Sequence, residues 1–541
     1  MIARKSIFIL STSALLQLIS AIEFIIIIKF WGDFAPTALG TIGLAMSFLA
    51  IFNIISDLGF GPAHVKRVSE GKDLGTCIGT FITIKTILAV SVLVISFISI
   101  FIIKNILGGE IYDSKVESIL LIFIMSNFLA NLMSIPITTF TGTKEMVKRE
   151  FPYIIGIIVG FPIIILIVTA GVSIANIPSS FILPGFLQSL QQFIADNALK
   201  SLALTYVISM FTILIMSLWF FRRYPIKKPT KESYKNYFTF ALPLMLLPII
   251  SIIINNVDKL MIGYFWSPVE VGYYFAMDAI VNIVVIFPSS VSSVLFPSIS
   301  EFKSNENFFK IKQSVRLAER YISMISIFLV IIIIVLARPI ISIIMSDAFL
   351  PAVPVLIILA IFILIECLNS PYNSLVRGMD RPTVLTKIAI ATSIVIIVLN
   401  FMFIPKNGVL SPFKIYGASG AAVATAISGL IAFFGLRIAS KRLTGIKLWQ
   451  SHIVRQIIAG LIMGTIIYFI AFNTTFFTNF FWYHLILFFA FGIIIYFGIL
   501  FLLKEFNKKD FDFLIDILNP KKMLKYVSSE LKDESNDSDK K

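Results

Sequence analysis

Cysteine, histidine and charge are all scarce in this 541-residue chain. Its two cysteines, Cys77 and Cys367, exclude a disulfide framework and any Cys-x-x-Cys metal site, and both read as buried free thiols. The three histidines, His64, His452 and His484, lie far apart and form no His-Glu-x-x-His or His-x-His pattern, which argues against a zinc or haem centre. Neither a metal nor another cofactor is expected. The phosphate-cradling pattern GxxxxGK[ST] is absent, so the chain itself hydrolyses no nucleotide. Charged residues make up only 14% of the chain, against about 25% in an ordinary globular domain.

What fills the space is apolar. The AVILMFWYC set accounts for 58% of residues and the mean hydropathy is +0.94, more than a soluble core could hide. Runs of about 18 or more apolar residues, each long enough to cross ~30 Å of hydrocarbon as a helix, recur from Ser6 to Leu503. The predicted fold is therefore an all-α polytopic membrane protein with about 14 transmembrane helices. The first run, 6–30, passes through Glu23 without a small-residue cleavage site and reads as a retained span rather than a signal peptide. No connection between runs exceeds about 26 residues, which leaves no room for a soluble catalytic domain.

Basic residues are retained on the cytoplasmic side during insertion. One alternate set of connections, with both termini, carries 36 Lys and Arg, whereas the opposite set carries seven. Both termini are thus expected in the cytoplasm of a multi-pass cell-membrane protein. The formal net charge of +15 becomes a topology signal with attraction to anionic membrane lipids, and needs no nucleic acid to explain it. Weak self-similarity places Gly40, Ala45–Met46 and Ser69–Glu70 beside Gly272, Ala276–Met277 and Ser300–Glu301, the kind of repeat from which many transporters are built. The expected organisation is a six-span lobe over 1–225, a second over 226–440 with a cavity between the lobes, two additional spans over 441–503, and a partly disordered cytoplasmic tail over 504–541. A short interfacial helix is expected over 186–199.

Ionisable groups within a bilayer are costly and usually face a bundle interior, a wet cavity or each other. Glu23, Lys85 and Asp278 lie deep in their spans, about 10 Å or more from the nearer end. Asp258, beside Lys259, sits at a span end, and Glu366 lies near the end of its span. The carboxylates Glu23, Asp278, Asp258 and Glu366 are candidates for binding a coupling Na⁺ or H⁺. Lys29, near the outer end of its span, is explained by snorkelling. The segment DLGFGPAHVKRVSEGKDLG combines glycines with Lys66 and Arg67, which together with Lys85 are candidates for an anionic headgroup. A positive-inside loop with a tight turn is the plainer reading of the same segment.

A polytopic glycosyltransferase would be expected to present acidic residues in a large external loop, and this chain offers little there beyond Glu110 and Asp113. Its two Asp-x-Asp pairs, Asp510–Asp512 and Asp537–Asp539, fall in the predicted tail, where solvated charge suffices. Asn473–Thr474–Thr475 is an external glycosylation sequon too close to the membrane to be a good acceptor.

Four regions resemble the polysaccharide and oligosaccharide flippases, of the O-antigen type, within the multidrug/oligosaccharidyl-lipid/polysaccharide exporter superfamily. They are DLGFGPAHVKRVSEG, NNVDKLMIGYFWSPVEVGYYFAMDAI, LFPSISE, and GMDRPTVLTKIAIATSIVIIVLNFMFIPKNG followed by YGASGAAVATAISGL. The first looks most like archaeal members. The resemblance implies two six-helix bundles plus two C-terminal helices that alternate between inward-open and outward-open states. It also implies a substrate, a polyprenyl or dolichyl phosphate or pyrophosphate bearing an oligosaccharide, carried from the cytoplasmic to the external leaflet by a protein that is not an enzyme and works as a monomer. An ion-coupled drug or metabolite exporter of the same superfamily is the nearest rival, and a membrane glycosyltransferase or polymerase the next.

Overall fold

The structure, a computed structural model, describes residues 2–106, 114–171, 188–446, 450–473 and 481–506. Among these residues every regular element is helical, with no strand. Twelve helical stretches are long and apolar enough to cross a membrane. The first of them, Leu15–Ser56, has 42 residues; at 1.5 Å per residue that is about 63 Å, or two crossings. It holds the expected first and second spans, divided by a 3₁₀ turn at Gly32–Phe34. Large apolar side chains such as Phe101, Ile158, Val398, Ile494 and Leu502 stand exposed along the helices, as lipid-facing residues should. The protein is a multi-pass, all-helical membrane protein, as its composition predicts.

The fold divides between Ile252 and Ile253 into two compact units. In the first run α1 (Ile2–Trp31), α2 (Ala35–Asp57), α3 (Phe60–Ser69), α4 (Leu74–Asn105), α5 (Ser114–Gly142), α6 (Met146–Gly171), α7 (Gln188–Asp196), α8 (Ala198–Phe221) and α9 (Lys231–Leu244). Helix α10 (Leu246–Phe265) carries the division. The second unit continues with α11 (Pro268–Val281), α12 (Ile286–Ser304), α13 (Phe308–Val335), α14 (Ala337–Ile344), α15 (Val353–Gly378), α16 (Pro382–Phe403), α17 (Gly417–Thr444), α18 (Ser451–Asn473) and α19 (Trp482–Leu502).

The first unit's core joins Phe60 and Ala63 of α3 to Ile78 and Phe81 of α4, Met133 and Phe140 of α5, and Tyr237 and Ala241 of α9. That packing is why α9 clusters with the helices before it, although the sequence reading placed a boundary after residue 225. In the second unit one cluster centres on Phe328 of α13 and takes in Met463 of α18 and Tyr496 of α19, so the two C-terminal helices share its core. A second cluster joins Ile299 of α12, Val315 of α13, Tyr372 of α15 and Leu436 of α17.

The segment read as a glycine-rich loop is mostly helix. Leu58 (φ 43°) and Gly59 (φ 81°) both take the left-handed conformation and reverse the chain into α3. Gly59 is also pressed against α9, where an added Cβ would stand 2.6 Å from the Ala241 carbonyl oxygen. Glycine is therefore required there twice over, by conformation and by space. Next to it, Asp73 caps α4 by accepting from Thr76 N at 2.9 Å, and pairs with Lys227 at 2.7 Å. The Lys227 ammonium, with the cap, holds the Asp73 carboxyl well below the usual carboxylate range. A short helix, α7, occupies most of the predicted 186–199 stretch. Glu110, Asp113, Thr474–Thr475 of the sequon and the tail beyond Phe506 lie outside the described residues.

Candidate functional site

Three helices of the second unit bring side chains to a carboxylate carried by a fourth. Asp258 of α10 is 4% exposed, and ionised carboxylates are not buried at that depth without compensation. Tyr274 of α11 donates its hydroxyl to Asp258 Oδ2 at 2.7 Å. Asn400 of α16 donates from Nδ2 to Oδ1 at 2.5 Å. Thr425 of α17 places Oγ1 2.9 Å from Oδ2, and the same oxygen lies 2.9 Å from the Ala421 carbonyl. Its single proton can serve only one of the two.

All three partners are neutral groups. Among the described residues no cation stands within ion-pair distance of Asp258. The adjacent Lys259 turns elsewhere, giving a hydrogen bond to the Asn255 carbonyl at 2.9 Å and approaching Asp278 at 3.8 Å. Asp278 also accepts from Asn282 Nδ2 at 2.9 Å. Asn400 is fully buried, yet its Oδ1 has no hydrogen-bond partner. A buried amide oxygen left unbonded is costly and calls for an explanation. The carboxylate and the Tyr274 and Thr425 hydroxyl oxygens, with no cation in ion-pair contact, form an oxygen set suited to a small hard cation, to which the Asn400 amide, now facing Asp258 through Nδ2, adds its oxygen if it turns over. Among the described residues no three His, Cys, Asp or Glu side chains are grouped as a metal-binding cluster would need, and the oxygen set around Asp258 is not of the kind that transition metals favour.

The structure thus brings Asp258 and Asp278 into one polar network through Tyr274 and Lys259, whose ammonium lies 5.7 Å from the Tyr274 ring centroid. Glu366 of α15 is not joined to it by any hydrogen bond or ion pair among the described residues, and accepts instead from Asn369 Nδ2 at 3.1 Å. Glu23 of α1 is half-buried and belongs to the other unit. Tyr274, Asn400 and Thr425 escaped the sequence reading, since a neutral residue in an apolar helix carries no distinguishing mark.

The candidate headgroup residues of the first unit are spread over two helices. Lys85 of α4 is 3% exposed and donates to the Ser56 carbonyl at 2.8 Å. Arg67 of α3 uses Nη1 on Glu70 at 2.9 Å and Nη2 on the Asn236 carbonyl at 3.0 Å. Lys66 lies 3.7 Å from Glu70 and 4.2 Å above the Phe240 ring. The Arg67 hydrogen bond, with the neighbouring cations, holds the Glu70 pKa below its ordinary value.

His64, in the middle of the same segment, is buried rather than presented. Its Nδ1 lies 2.7 Å from Tyr237 Oη and its Nε2 2.9 Å from Thr139 Oγ1, while the ring stacks on Phe81 at 4.1 Å. Thr139 gives its proton to the Ile135 carbonyl, so it accepts from Nε2–H; the Tyr237 hydroxyl lies nearer to Nδ1, at 2.7 Å, than to the Cys77 carbonyl oxygen, at 3.2 Å, and gives its one proton to the ring. Burial lowers the His64 pKa from 6.5 to about 3, and the ring is neutral. A further buried set pairs its charges internally: Tyr372 of α15 donates to Glu319 Oε2 of α13 at 2.8 Å, and Arg437 of α17 binds Glu319 Oε1.

Several known proteins are similar to this chain. A relative in Haloferax volcanii, named "Probable low-salt glycan biosynthesis flippase Agl15", is 22% identical over 412 residues, covering 76% of this chain and 78% of that protein. An uncharacterised membrane protein of Methanocaldococcus jannaschii, MJ1068, is 27% identical over 183 residues; the match covers 34% of this chain and spans about a third, 36%, of that relative. Among solved structures, the lipid II flippase MurJ in an inward closed conformation matches with a TM-score of 0.68 at 17% identity, over 91% of this chain and 98% of MurJ. An inward-facing multidrug resistance transporter of the MATE family, in the MOP superfamily, matches with a TM-score of 0.61 at 12% identity, over 79% of this chain and 95% of that one. At such identities the structural matches establish the fold, the one that the sequence resemblance implies. The relatives with a named activity are flippases and transporters, not enzymes. A sequence profile described as "Polysaccharide biosynthesis protein" matches residues 34–354, more than half of the length, and the chain belongs to that family.

Proposed function

We propose that this protein is a flippase that carries a polyprenyl or dolichyl phosphate- or pyrophosphate-linked oligosaccharide from the cytoplasmic to the external leaflet of the cell membrane. The observation that carries the reading is the relationship to a named glycan flippase over three quarters of the chain, within a polysaccharide biosynthesis family. The physical task fits the fold. A charged sugar headgroup cannot cross ~30 Å of hydrocarbon unaided, and alternating access through a helical carrier removes that barrier. Two six-span lobes followed by two further spans, both termini cytoplasmic, and function as a monomer complete the proposed arrangement.

Asp258 is proposed as the ion-coupling carboxylate, with Asp278 in its network and Glu23 and Glu366 as further candidates. The unbonded Oδ1 of Asn400 favours Na⁺ over H⁺. A proton on Asp258 would need no extra oxygen, whereas a cation held there gains one if the amide turns over and presents Oδ1. Each charge that crosses 100 mV supplies about 2.3 kcal/mol, enough to bias transport. Lys66, Arg67 and Lys85 are proposed to meet the anionic headgroup.

The test is deletion of the gene in its native host, with mass spectrometry of lipid-linked and mature surface glycans. Full-length lipid-linked glycan is expected to accumulate while surface glycan disappears. Truncated glycan would instead indicate a transferase or polymerase, and an unchanged profile would redirect the function to small-molecule efflux.

A further inference from the structure

Three helix ends of the second unit enclose a pocket that the flippase reading does not use. Its volume is about 560 Å³, within the range that holds a small ligand. Along α13 it is lined by Phe309, Lys312, Gln313, Arg316, Leu317 and Arg320. Those positions recur at three- and four-residue intervals, so they form one stripe about 17 Å long on a single helix face. Ser451 and His452 from the first turn of α18, and Glu505 just past the end of α19, close the other sides.

The charges do not balance. Glu505 is already held by Arg320 Nε at 2.9 Å and by Arg455 Nη1 at 3.2 Å. Lys312 and Arg316 have no ion pair among the described residues and face the same space. The first turn of α18 adds the positive end of a 23-residue helix.

An independent sign of a ligand comes from His452. The residue is 7% exposed, lines the pocket, and has an Nε2 with no hydrogen-bond partner. A buried ring nitrogen left open at the wall of a cationic cavity marks a place for an oxygen acceptor. An Arg fork, a Lys point charge, a helix N-terminus and a ring nitrogen are together the recognition set of a phosphate group. The rim is apolar, with Phe309 76% exposed and Leu317 exposed beside the basic groups. A ligand with an anionic head and a greasy body matches both surfaces.

We propose that this pocket binds the phosphate of an anionic phospholipid headgroup through Lys312, Arg316 and His452. The site lies apart from the Asp258 network, on a different set of helix ends. Its ligand is a resident lipid rather than the transported one.

The test uses the full-length protein purified in detergent micelles, with native mass spectrometry after exposure to phosphatidylglycerol or phosphatidylcholine, and titration with inorganic phosphate. The wild type should retain phosphatidylglycerol at least about tenfold better than a Lys312→Gln/Arg316→Gln double variant, with phosphatidylcholine retained by neither. Displacement of the lipid by millimolar inorganic phosphate would support phosphate as the recognised group. Equal phosphatidylglycerol retention by the double variant overturns the proposal. If the variant loses inorganic phosphate binding while lipid retention is unchanged, the pocket takes free phosphate and the lipid source is overturned. Both substituted residues sit at the wet edge of α13, so folding is not at stake. A His452→Gln variant, which keeps a polar atom in the wall, should fall between wild type and double variant. Because the readout is binding, a negative result leaves the translocation reading untouched.

Discussion

The buried polar groups around His64 in the first unit and around Asp258 in the second are built alike and finished differently. Each gathers side chains from several helices about one ionisable residue that is almost fully enclosed. Around His64 both ring nitrogens are partnered: one donates to Thr139, the other accepts from Tyr237, and the ring is neutral. Around Asp258 the set stays open, since no cation pairs with the carboxylate, the Thr425 proton is contested by the Ala421 carbonyl, and a fully buried amide oxygen has no partner. A closed set fixes helices together, whereas an open one keeps capacity for something that comes and goes. The difference lies in the unsatisfied atom, not in burial.

If closure marks a structural role, the largest loss of stability should follow from breaking a buried pair of charges. Glu319→Ala would leave the buried Arg437 guanidinium without its carboxylate, at a cost of about 3–5 kcal/mol. Thermal unfolding of the purified protein measures it, and a loss below about 1 kcal/mol would separate closure from stability. Asp258→Asn should do the reverse. It preserves the hydrogen-bonding shape and the melting temperature, but removes the charge, so Na⁺ binding should weaken about 100-fold by radiotracer equilibrium binding, with loss of Na⁺-stimulated translocation. Unchanged Na⁺ binding would return Asp258 to the structural class.

The His64 cluster makes a pH prediction with a definite sign. Its pKa is depressed in the folded state, from 6.5 to about 3, so between those values the unfolded chain holds a proton that the folded chain does not. Stability is fully present above about pH 6.5 and declines as pH falls towards 3, by up to about 1.4 kcal/mol per pH unit. A His64→Gln variant should show a flatter fall between pH 6.5 and 4 than the wild type, and parallel curves would exclude His64 as the cause. Thr425→Val, which removes one hydroxyl oxygen from the Asp258 set, should weaken Na⁺ binding only about tenfold, since the carboxylate and the Asn400 oxygen remain.

How much of this could be read in advance depends on what a residue announces. The spans were legible because an apolar run has few uses outside a membrane. Asp258 and Asp278 were visible for the complementary reason, a charge where charge is expensive. Tyr274, Asn400 and Thr425 were not, because their meaning comes from meeting Asp258 across 16 to 167 residues of chain. Glu319 and Arg437 were hidden differently. Each stands beside an apolar run, where charge reads as the end of a span, yet α13 begins at Phe308 and α17 runs on to Thr444, which makes both positions packed helix. His64 shares its segment with Lys66 and Arg67, but α3 buries the imidazole completely while it leaves Lys66 exposed and Arg67 half-buried.

That divergence within α3 sets the smallest and most discriminating effect. Lys66→Ala and Arg67→Ala remove side chains whose partners, Glu70 and the Asn236 carbonyl, lie at or near the surface. Exposed ion pairs contribute about 0–1 kcal/mol, so Lys66→Ala should leave the melting temperature almost unchanged, in contrast to His64→Gln on the same helix, while Arg67→Ala also gives up a part-buried hydrogen bond and should lower it modestly. If the two cations meet the substrate's phosphate, the double variant should nevertheless bind the lipid-linked glycan several-fold more weakly, since no neighbouring group replaces a charge-assisted hydrogen bond to the ligand. Stability and affinity therefore separate at these positions: a variant that melts like the wild type and also binds like it identifies the pair as topology signals alone, while one that melts alike and binds poorly places the headgroup on the outward face of α3.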